Sequence, residues 1–354
     1  MRISVPCFSL FDEYCRSRLS GPFHTFQGMP EAPQFVTLFI IFCHMLIDVM
    51  RIGITGVGID VRNAEVLDII KAVKASGNTY EMIYPELMEL EIGTGKGIGT
   101  YQALPRPSGS GSERKGIEAE AVILRHIGII RDYEQFSHRL SCVRAFELNG
   151  IRVMNSVESW LAASDKLATT MLLARHGLSV PKTISSEQMF SAYSAVKGFR
   201  HAVVKPLRSA MGFGVFRIDD PDVGMHIFSY LTNVSKPIYT QEFLEKRHGG
   251  DYRIIVVGGN AIGAEFRKAK TWKSNIAQGA VPKAARLNDE LRELAIKSTE
   301  VLGLEYAGID IAETKAGYFV LEANPTIAWR GFIRVTHVNP ARHIVRHLLG
   351  LARR

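Results

Sequence analysis

Two apolar segments near the C-terminal end, each carrying acidic or amide side chains, limit the fold of this chain most. AGIDIA contains Asp310, and FVLEAN contains Glu322 and Asn324 two residues apart. Side chains alternate across a strand, so Glu322 and Asn324 share one face, and a hairpin turned at 315–317 lets Asp310 share it. A solvated sheet face is the alternative, but both strands are too apolar to be wet on both sides. Three converging oxygen ligands are what a magnesium ion bridging phosphates requires.

Composition indicates a globular protein with room for several domains. The chain has 354 residues, of which 46% are hydrophobic and 22% charged, enough for two or three compact domains. The formal net charge of +8 suggests anionic partners, but basic and acidic residues are interleaved and no nucleic-acid readout motif is present. We therefore expect no nucleic-acid partner.

The four cysteines are Cys7, Cys15, Cys43 and Cys142. Their spacing is not that of a metal site, and we expect a cytoplasmic protein.

The first 49 residues differ in character from the rest. They show neither helical nor strand periodicity, and the apolar run at 35–50 is short and interrupted by His44 and Asp48, which argues against a membrane span. At Met50 the sequence MRIGITGVG is typical of an initiator methionine followed by a buried strand. We interpret residues 1–49 as a non-native extension, with a signal anchor as the alternative, and expect no membrane partner.

The remaining sequence predicts an α/β protein with three parts. Strand and helix patterns alternate over residues 50–155, which predicts an N-terminal parallel α/β domain. Within it, residues 91–116 are rich in Gly, Ser and Pro and are predicted to form a mobile surface loop without a packed element. Residues 156–240 and 241–354 are predicted to form a central and a C-terminal lobe.

A second group of signals suggests phosphate binding. Lys205 ends the apolar strand AVVKP, where a cation is costly unless an anion meets it. In the following RSAMGFGV, Gly212 and Gly214 allow close approach to a phosphate and loop movement. The strand end QEFL supplies main-chain groups suited to an adenine edge. Each signal also has a purely structural explanation. The lysine could extend its charge to solvent, the glycines could form a hairpin turn, and QEFL could be an ordinary strand end. GITGVG and GTGKGIGT match neither Rossmann nor P-loop motifs.

These motifs, in this order, resemble the ATP-grasp superfamily and, within it, the RimK-type α-L-glutamate ligases. The resemblance runs from residue 51 to the C-terminus and rests on LRHIG, SDKLATTMLLARHGLSVPKT, VVKP with MGFGV, QEFL, DYRIIVVGG, FRKAK with KSNIAQGA, and GIDI with LEANP. It implies an ATP-grasp fold, in which an N-terminal parallel α/β domain precedes two α+β lobes that enclose the nucleotide. It also implies ATP and two Mg²⁺ or Mn²⁺ ions as cofactors.

The resemblance implies roles residue by residue. The implied ATP-binding residues are Lys166 and Lys205 for phosphates, Ser209, Gly212 and Gly214 in a lid, Gln241, Glu242 and Leu244 for adenine, and Asp251 for ribose. The implied metal ligands are Asp310, Glu322 and Asn324. The implied catalytic residues are Arg253, Arg267 and Asn275, and the acceptor or substrate residues are Arg125, Lys268, Trp329 and Arg330.

The implied activity is an ATP-dependent acid–amino-acid ligase that forms an acyl phosphate and adds L-glutamate to an acceptor carboxylate. Cations would neutralise the anions that meet at the γ-phosphorus, and a closing lid would protect the acyl phosphate from water. The segments WRGF and ELNGIRVMNSVESW resemble archaeal ligases that use tetrahydromethanopterin, which we favour as the acceptor.

Several alternatives stay open at this point. The acceptor could instead be a deazaflavin coenzyme tail, a ribosomal protein C-terminus or an amino-group carrier protein. A non-catalytic nucleotide-binding regulator on the same fold, or a basic nucleic-acid-binding protein, are rivals of another class. The number of glutamates added and the presence of a homo-oligomer are not visible in the sequence.

Overall fold

The computed structural model describes residues 49–56, 63–93, 97–105, 111–209 and 212–352. The predicted extension lies outside the described residues except for Val49. The strands are β1 Arg51–Thr55, β2 Thr79–Ile83, β3 Met88–Glu91, β4 Gly99–Pro105, β5 Ser112–Gly116, β6 Ala121–Ile123, β7 Arg152–Met154, β8 Thr183–Ser186, β9 Ala202–Lys205, β10 Phe216–Ile218, β11 Ile238–Glu242, β12 Gly250–Val257, β13 Asn260–Lys268, β14 Val281–Ala284, β15 Tyr306–Thr314 and β16 Gly317–Asn324. The α-helices are α1 Ala64–Ala75, α2 Tyr133–Leu148, α3 Val157–Ser164, α4 Lys166–Arg175, α5 Met189–Phe199, α6 Pro221–Asn233, α7 Asp289–Val301, α8 Arg330–Thr336 and α9 Pro340–Ala352.

The N-terminal sheet has the order β2-β1-β6-β7 and is parallel throughout, as the alternating pattern predicts. The side chain of Asn63 accepts hydrogen bonds from the Glu65 and Val66 amides and so begins α1, which fits its role as an N-cap. The apolar face of α1 packs on β1 and on the C-terminal helix α9. The residues that follow β6 lie at the carboxyl edge of this parallel sheet. That edge is next to the C-terminal part of the chain.

The prediction of a loop without packed elements at residues 91–116 is wrong. β3, β4 and β5 form a three-stranded antiparallel sheet in that order. The buried side chain of Gln102 fastens it, since its Oε1 accepts from the Tyr84 amide at 2.8 Å and its Nε2 donates to the Met82 carbonyl at 3.0 Å. Residues 94–96 and 106–110, between these strands, lie outside the described residues.

The central sheet is antiparallel, with the order β10-β9-β11-β8. α5 and α6 pack together on one side of it around Val196, Val204 and Phe228. Lys205 is the last residue of β9. It therefore lies at the end of the strand, beyond three buried residues.

The C-terminal sheet is antiparallel, with the order β14-β13-β12-β15-β16. Ile254 and Ile309 pack against Leu291 of α7 on one face. On the other face the end near Ile255 packs against α8 and α9, whereas the end near Asp251 carries charged side chains. The sheet therefore supports a hydrophobic core and a polar site at once. No helix in the described part of the chain is long and apolar enough to cross a bilayer.

Candidate active site

A cavity of about 860 Å³ brings most of the predicted residues together. Its walls come from ends of strands in the N-terminal, central and C-terminal sheets. The predicted residues that line it are Arg125, Lys166, Lys205, Ser209, Gly212, Gln241, Glu242, Leu244, Asp251, Arg253, Arg267, Asn275, Asp310, Glu322, Asn324 and Arg330. Gly214, Lys268 and Trp329 are not among the lining residues.

The three predicted metal ligands share one face at the edge of the C-terminal sheet. Asp310 is opposite Glu322 in the pairing of β15 with β16, and Asn324 is opposite Gly308. The register shifts directly after Asp310, so that Leu321 is an extra residue in β16, as in a β-bulge. The Asn324 amide nitrogen lies 3.4 Å from Asp310 Oδ2. Two carboxylates and an amide oxygen on neighbouring strands are a suitable partial shell for Mg²⁺.

This donor set is small. Within the described ranges, no group of three or more His, Cys, Asp and Glu side chains could hold a metal ion. A cation at Asp310, Glu322 and Asn324 would thus take its remaining ligands from water or from a substrate. That is the usual situation of Mg²⁺ at phosphates, because Mg²⁺ loses its waters reluctantly. The residues present therefore fit a magnesium ion that arrives with a phosphorylated substrate.

Two arginines hold Asp310 from the neighbouring strands. Arg253 donates from Nε to Oδ1 and from Nη2 to Oδ2, both at 2.8 Å, and Arg267 Nη2 lies 2.9 Å from Oδ2. Asp310 is only 3% exposed. Burial alone would raise its pKa, but the charges and hydrogen bonds of Arg253 and Arg267 outweigh burial and hold the pKa at about 2. The carboxylate is therefore ionised at every ordinary pH.

Arg267 also binds Asp251. Its Nε donates to Asp251 Oδ1 at 2.7 Å, and the other oxygen of Asp251 accepts from Ser274 Oγ and pairs with Lys246 Nζ at 3.2 Å. Burial would lower the pKa of Arg267, but Asp251 and Asp310 raise it above its ordinary value. Both oxygens of Asp251 are engaged by protein groups, which argues against the ribose contact expected from the sequence and favours a role in positioning Arg267.

The two predicted phosphate lysines both line the cavity that contains the predicted metal ligands. Lys166 begins α4, capped by Asp165, and its Nζ lies 3.0 Å from Glu322 Oε1. Lys205 Nζ donates to Gln241 Oε1 at 2.6 Å. The pKa of Lys205 is lowered to about 8, mainly by burial; the charges of Lys166 and Lys246 act in the same direction, and the charge of Glu322 opposes them. A phosphate between these lysines would restore the favourable environment that Lys205 lacks.

Gln241 is fixed by several hydrogen bonds. Its Nε2 donates to Tyr239 Oη at 2.7 Å and to Thr183 Oγ1 at 3.0 Å, while its Oε1 binds Lys205. The Glu242 carboxylate accepts from the Lys182 amide at 2.8 Å. Gln241 therefore positions Lys205, and its side chain is unavailable to a ligand. The adenine contact predicted for Gln241, Glu242 and Leu244 stays a prediction.

The predicted lid lies against Asn275. Gly212 has φ +73°, and a Cβ there would lie 2.6 Å from Asn275 Oδ1, so glycine is required both by conformation and by space. Gly214 also has a positive φ, but a Cβ there would meet Pro206 at 2.9 Å, which gives Gly214 a role in the turn. Residues 210 and 211 of the predicted lid lie outside the described residues.

The acceptor prediction needs two corrections. Trp329 is 0% exposed and belongs to the core between α1 and α8, where its indole Nε1 donates to Asp68 Oδ2 at 3.1 Å. It cannot stack on a substrate at the rim, because α1 covers it. Lys268 is exposed and its Nζ donates to the His248 carbonyl, away from the cavity. Proximity in sequence to the metal motif did not reveal the orientation of Trp329, and the family resemblance did not reveal that of Lys268.

Arg125 and Arg330 do line the cavity. Arg125 is 1% exposed, its Nη2 donates to the Ile327 carbonyl at 2.7 Å, and its guanidinium lies 4.7 Å from the Trp329 ring. Among the described residues its Nε and Nη1 make no hydrogen bond. The Trp329 ring thus packs near the buried guanidinium of Arg125, which has unpaired donors among the described residues. Arg330, in contrast, is exposed.

Known proteins show the same motifs and the same fold. Residues 163–348 match the RimK-like ATP-grasp domain. The chain is 31% identical over 310 residues to the tetrahydromethanopterin:α-L-glutamate ligase of Methanosarcina acetivorans, covering 79% of this chain and 93% of that protein. It is 30% identical over 246 residues to the ligase of the same name from Methanococcus maripaludis, covering 68% and 83%. The chain belongs to the RimK-like ATP-grasp family.

Solved structures agree with this assignment. A RimK domain ATP-grasp protein from Sphaerobacter thermophilus matches with a TM-score of 0.64 at 20% identity, covering 85% of this chain and 100% of that one. The ATP-grasp ligase PsnB, in a complex with minimal precursor, Mg and ADP, matches with a TM-score of 0.62 at 19% identity, covering 86% and 98%. The predicted ATP-grasp fold and the predicted class, an ATP-dependent acid–amino-acid ligase, are confirmed. The domain boundaries and the individual site roles stay predictions.

Three site residues of this RimK-like ATP-grasp chain were missed by the sequence reasoning. Lys246 and Ser274 bind Asp251, and nothing in the sequence indicates that contact. Glu265 is fully buried beside Arg253. A carboxylate in the apolar strand segment GAEF, on the same face as Arg267, was a signal that could have found it.

Proposed function

We propose that this chain adds L-glutamate to a carboxylate of an acceptor, with ATP as the activating substrate. The observation that carries the proposal is the position of Asp310, Glu322 and Asn324 in one cavity with Lys166 and Lys205. Oxygen ligands for a divalent ion and lysines for phosphates are the two sets of groups that bind a nucleoside triphosphate for phosphoryl transfer.

Magnesium would be held by Asp310, Glu322 and Asn324, and would supply charge neutralisation at the phosphates. The use of Mg²⁺ is supported by the fold and by the donor set. The presence of two ions, and replacement of Mg²⁺ by Mn²⁺, stay predictions. Arg253 and Arg267 fix the orientation of Asp310 through three hydrogen bonds, so that this ligand is held in place before any ion arrives.

The chemistry has two steps. First, an oxygen of the acceptor carboxylate bonds to the γ-phosphorus, and the bond to ADP breaks. Lys166 and Lys205 lower the repulsion between the anions that meet there. Second, the amino nitrogen of glutamate bonds to the acyl carbon, the carbon–oxygen bond to phosphate breaks, and the nitrogen loses a proton. Gly212 lies against Asn275, and its loop would exclude water while the acyl phosphate exists.

Arg125 is the proposed contact of the acceptor. Its guanidinium is buried, and its Nε and Nη1 make no hydrogen bond among the described residues. These two nitrogens point in different directions, and either can donate a charge-assisted hydrogen bond to a carboxylate. His126 is next to it, and burial together with Arg125 lowers the pKa of His126 to about 4, so His126 is neutral and leaves the positive charge to Arg125. Relatives named tetrahydromethanopterin:α-L-glutamate ligase support tetrahydromethanopterin as the acceptor.

The test is a turnover assay with purified protein, ATP, Mg²⁺ and L-glutamate. Release of ADP and phosphate should depend on both glutamate and tetrahydromethanopterin, and mass spectrometry should show the product one glutamyl residue heavier. A deazaflavin coenzyme, a ribosomal protein C-terminal peptide and an amino-group carrier protein are the parallel acceptors. Turnover with one of these alone would replace the pterin. Tight ATP binding without turnover on any acceptor would instead support a nucleotide-binding regulator.

A further inference from the structure

One buried carboxylate next to the cavity has no role in the site described above. Glu265 is 0% exposed, and neither of its carboxylate oxygens has a hydrogen-bond partner among the described residues. It lies on β13 opposite Arg253 and two residues before Arg267, so all three side chains share the polar face of the C-terminal sheet. Buried carboxylates in native proteins are almost always paired.

The two arginines nearest to Glu265 bind other carboxylates. Arg253 donates from both Nε and Nη2 to Asp310, and Arg267 bridges Asp310 and Asp251. Both guanidinium groups are thus committed to other acids, although their charges favour the ionised form of Glu265 from a distance. Asp310 thus pairs with both arginines and Asp251 with Arg267 and Lys246, and Glu265 is the buried carboxylate left without a direct partner in the part of the chain that the structure describes.

The carboxylate lies directly behind the cavity wall. A Cβ added to Gly331 would lie 3.2 Å from Glu265 Oε2 and 2.6 Å from Ile276 Cδ1. Gly331 and Ile276 both line the cavity. Gly331 is therefore the thin part of the wall between the cavity and Glu265, and a larger side chain there would crowd both Ile276 and the carboxylate. Burial raises the pKa of Glu265, while Arg253 and Arg267 oppose the rise, so an arriving cation would stabilise the ionised form.

We propose that Glu265 binds the amino group of the incoming amino acid through its buried carboxylate. The inference rests on the proposed ligase function and names a subsite within it. Asp310, Arg253 and Glu265 are in register on three adjacent strands, which separates the backbones at Asp310 and Glu265 by roughly 10 Å, two strand spacings. An amine held beside Glu265 would thus lie on the same face as the metal ligands, within side-chain reach of an acyl phosphate formed there.

The test compares Glu265→Gln with the wild type. The amide keeps the shape and removes the charge, so kcat/KM for L-glutamate should fall roughly ten- to a hundred-fold, mainly through KM. KM for ATP and for the acceptor should not change. Hydroxylamine attacks an acyl phosphate without occupying an amino-acid subsite, so hydroxamate formation should proceed at the wild-type rate. Glu265→Asp, which keeps the charge on a shorter stem, should recover part of the loss.

Glu81→Gln is the matched control. Glu81 is another buried glutamate, on β2 of the N-terminal sheet, where it accepts from the Glu118 amide at 3.0 Å, and it does not line the cavity. This variant should keep the wild-type KM for glutamate.

The outcomes separate this inference from the proposed function. If the wild type forms no hydroxamate with any acceptor, the proposed function fails whatever Glu265 does. If the wild type forms hydroxamate and Glu265→Gln keeps a normal KM for glutamate, the inference is overturned. Equal losses of hydroxamate formation and glutamate ligation in Glu265→Gln, together with a lower melting temperature, would show a structural role and also overturn it.

Discussion

Replacing Asp310 by asparagine should damage stability and activity together, because one carboxylate serves two purposes. Asp310 is the predicted metal ligand, and it is also the shared partner of Arg253 and Arg267. Breaking a buried ion pair from one side costs about 3–5 kcal/mol. The shift of the Asp310 pKa from 3.8 to about 2 corresponds to about 2–3 kcal/mol. We expect the free energy of unfolding without nucleotide to fall by about 2–4 kcal/mol.

Glu322→Gln is the matched comparison. Its side chain is 27% exposed and its one ion pair is with Lys166 at 3.0 Å; such a partly solvated pair contributes about 1 kcal/mol or less. Loss of either carboxylate should lower turnover by orders of magnitude if both hold magnesium. Urea unfolding followed by circular dichroism gives the stabilities, and ADP release over a range of Mg²⁺ concentrations gives the activities.

The pH dependence provides an independent check on Asp310. Its pKa is lower in the folded than in the unfolded protein, so its contribution is present at neutral pH and is lost as the pH falls from about 4 to about 2. The stability difference between the wild type and Asp310→Asn should shrink over that window. Equal stability of the two at pH 7 would refute the role of the arginines, and near-normal turnover of Glu322→Gln would remove Glu322 from the metal site.

Four further substitutions test the remaining site. Lys205→Met should weaken ATP binding in calorimetry without lowering the melting temperature of the nucleotide-free protein, because burial already lowers the pKa of Lys205 to about 8. The wild type should gain stability as the pH rises from about 8 to about 10.5, where the unfolded chain still binds this proton, and Lys205→Met should not. Arg125→Gln and Arg330→Ala should both raise the acceptor KM while leaving the ATP KM unchanged. The loss should be larger for the buried Arg125, at roughly ten- to a hundred-fold, and equal losses for ATP and acceptor would contradict the assignment. Trp329→Ala should cost about 3–5 kcal/mol of unfolding free energy, and a normal stability with an altered acceptor KM would return Trp329 to the rim of the site.

The sequence was sufficient to predict that Asp310, Glu322 and Asn324 share one face of the C-terminal sheet. Alternation along a strand places Glu322 and Asn324 on one face, and the apolar neighbours of Asp310 exclude a solvated strand. Both inferences depend only on local pattern. The arginine contacts of Asp310 were not predictable in the same way, because they depend on the order β13-β12-β15 and on the register between strands far apart in the sequence.

Two of the wrong predictions, the loop at residues 91–116 and the position of Trp329, have the same physical cause. The strands at residues 99–116 are held by long-range contacts such as those of Gln102 with the main chain of β2 and the residue after it, while the local composition shows mainly the turn residues. Trp329 follows the metal motif closely, but the distance along the chain does not fix the direction of a side chain. Its indole turns towards Asp68 on α1, a contact between residues at opposite ends of the described chain.

The charges of the cavity favour a two-substrate ligase over a protein that only binds a nucleotide. Lys166, Lys205 and the metal ligands would suffice to hold a nucleoside triphosphate and its ion. They do not account for Arg125, whose buried Nε and Nη1 have no hydrogen-bond partner among the described residues, or for Glu265, whose two buried oxygens have none there either. Each group lowers stability in the free protein, because its desolvation is not compensated. A carboxylate acceptor and an amine donor would supply partners of the required opposite signs, one at each group.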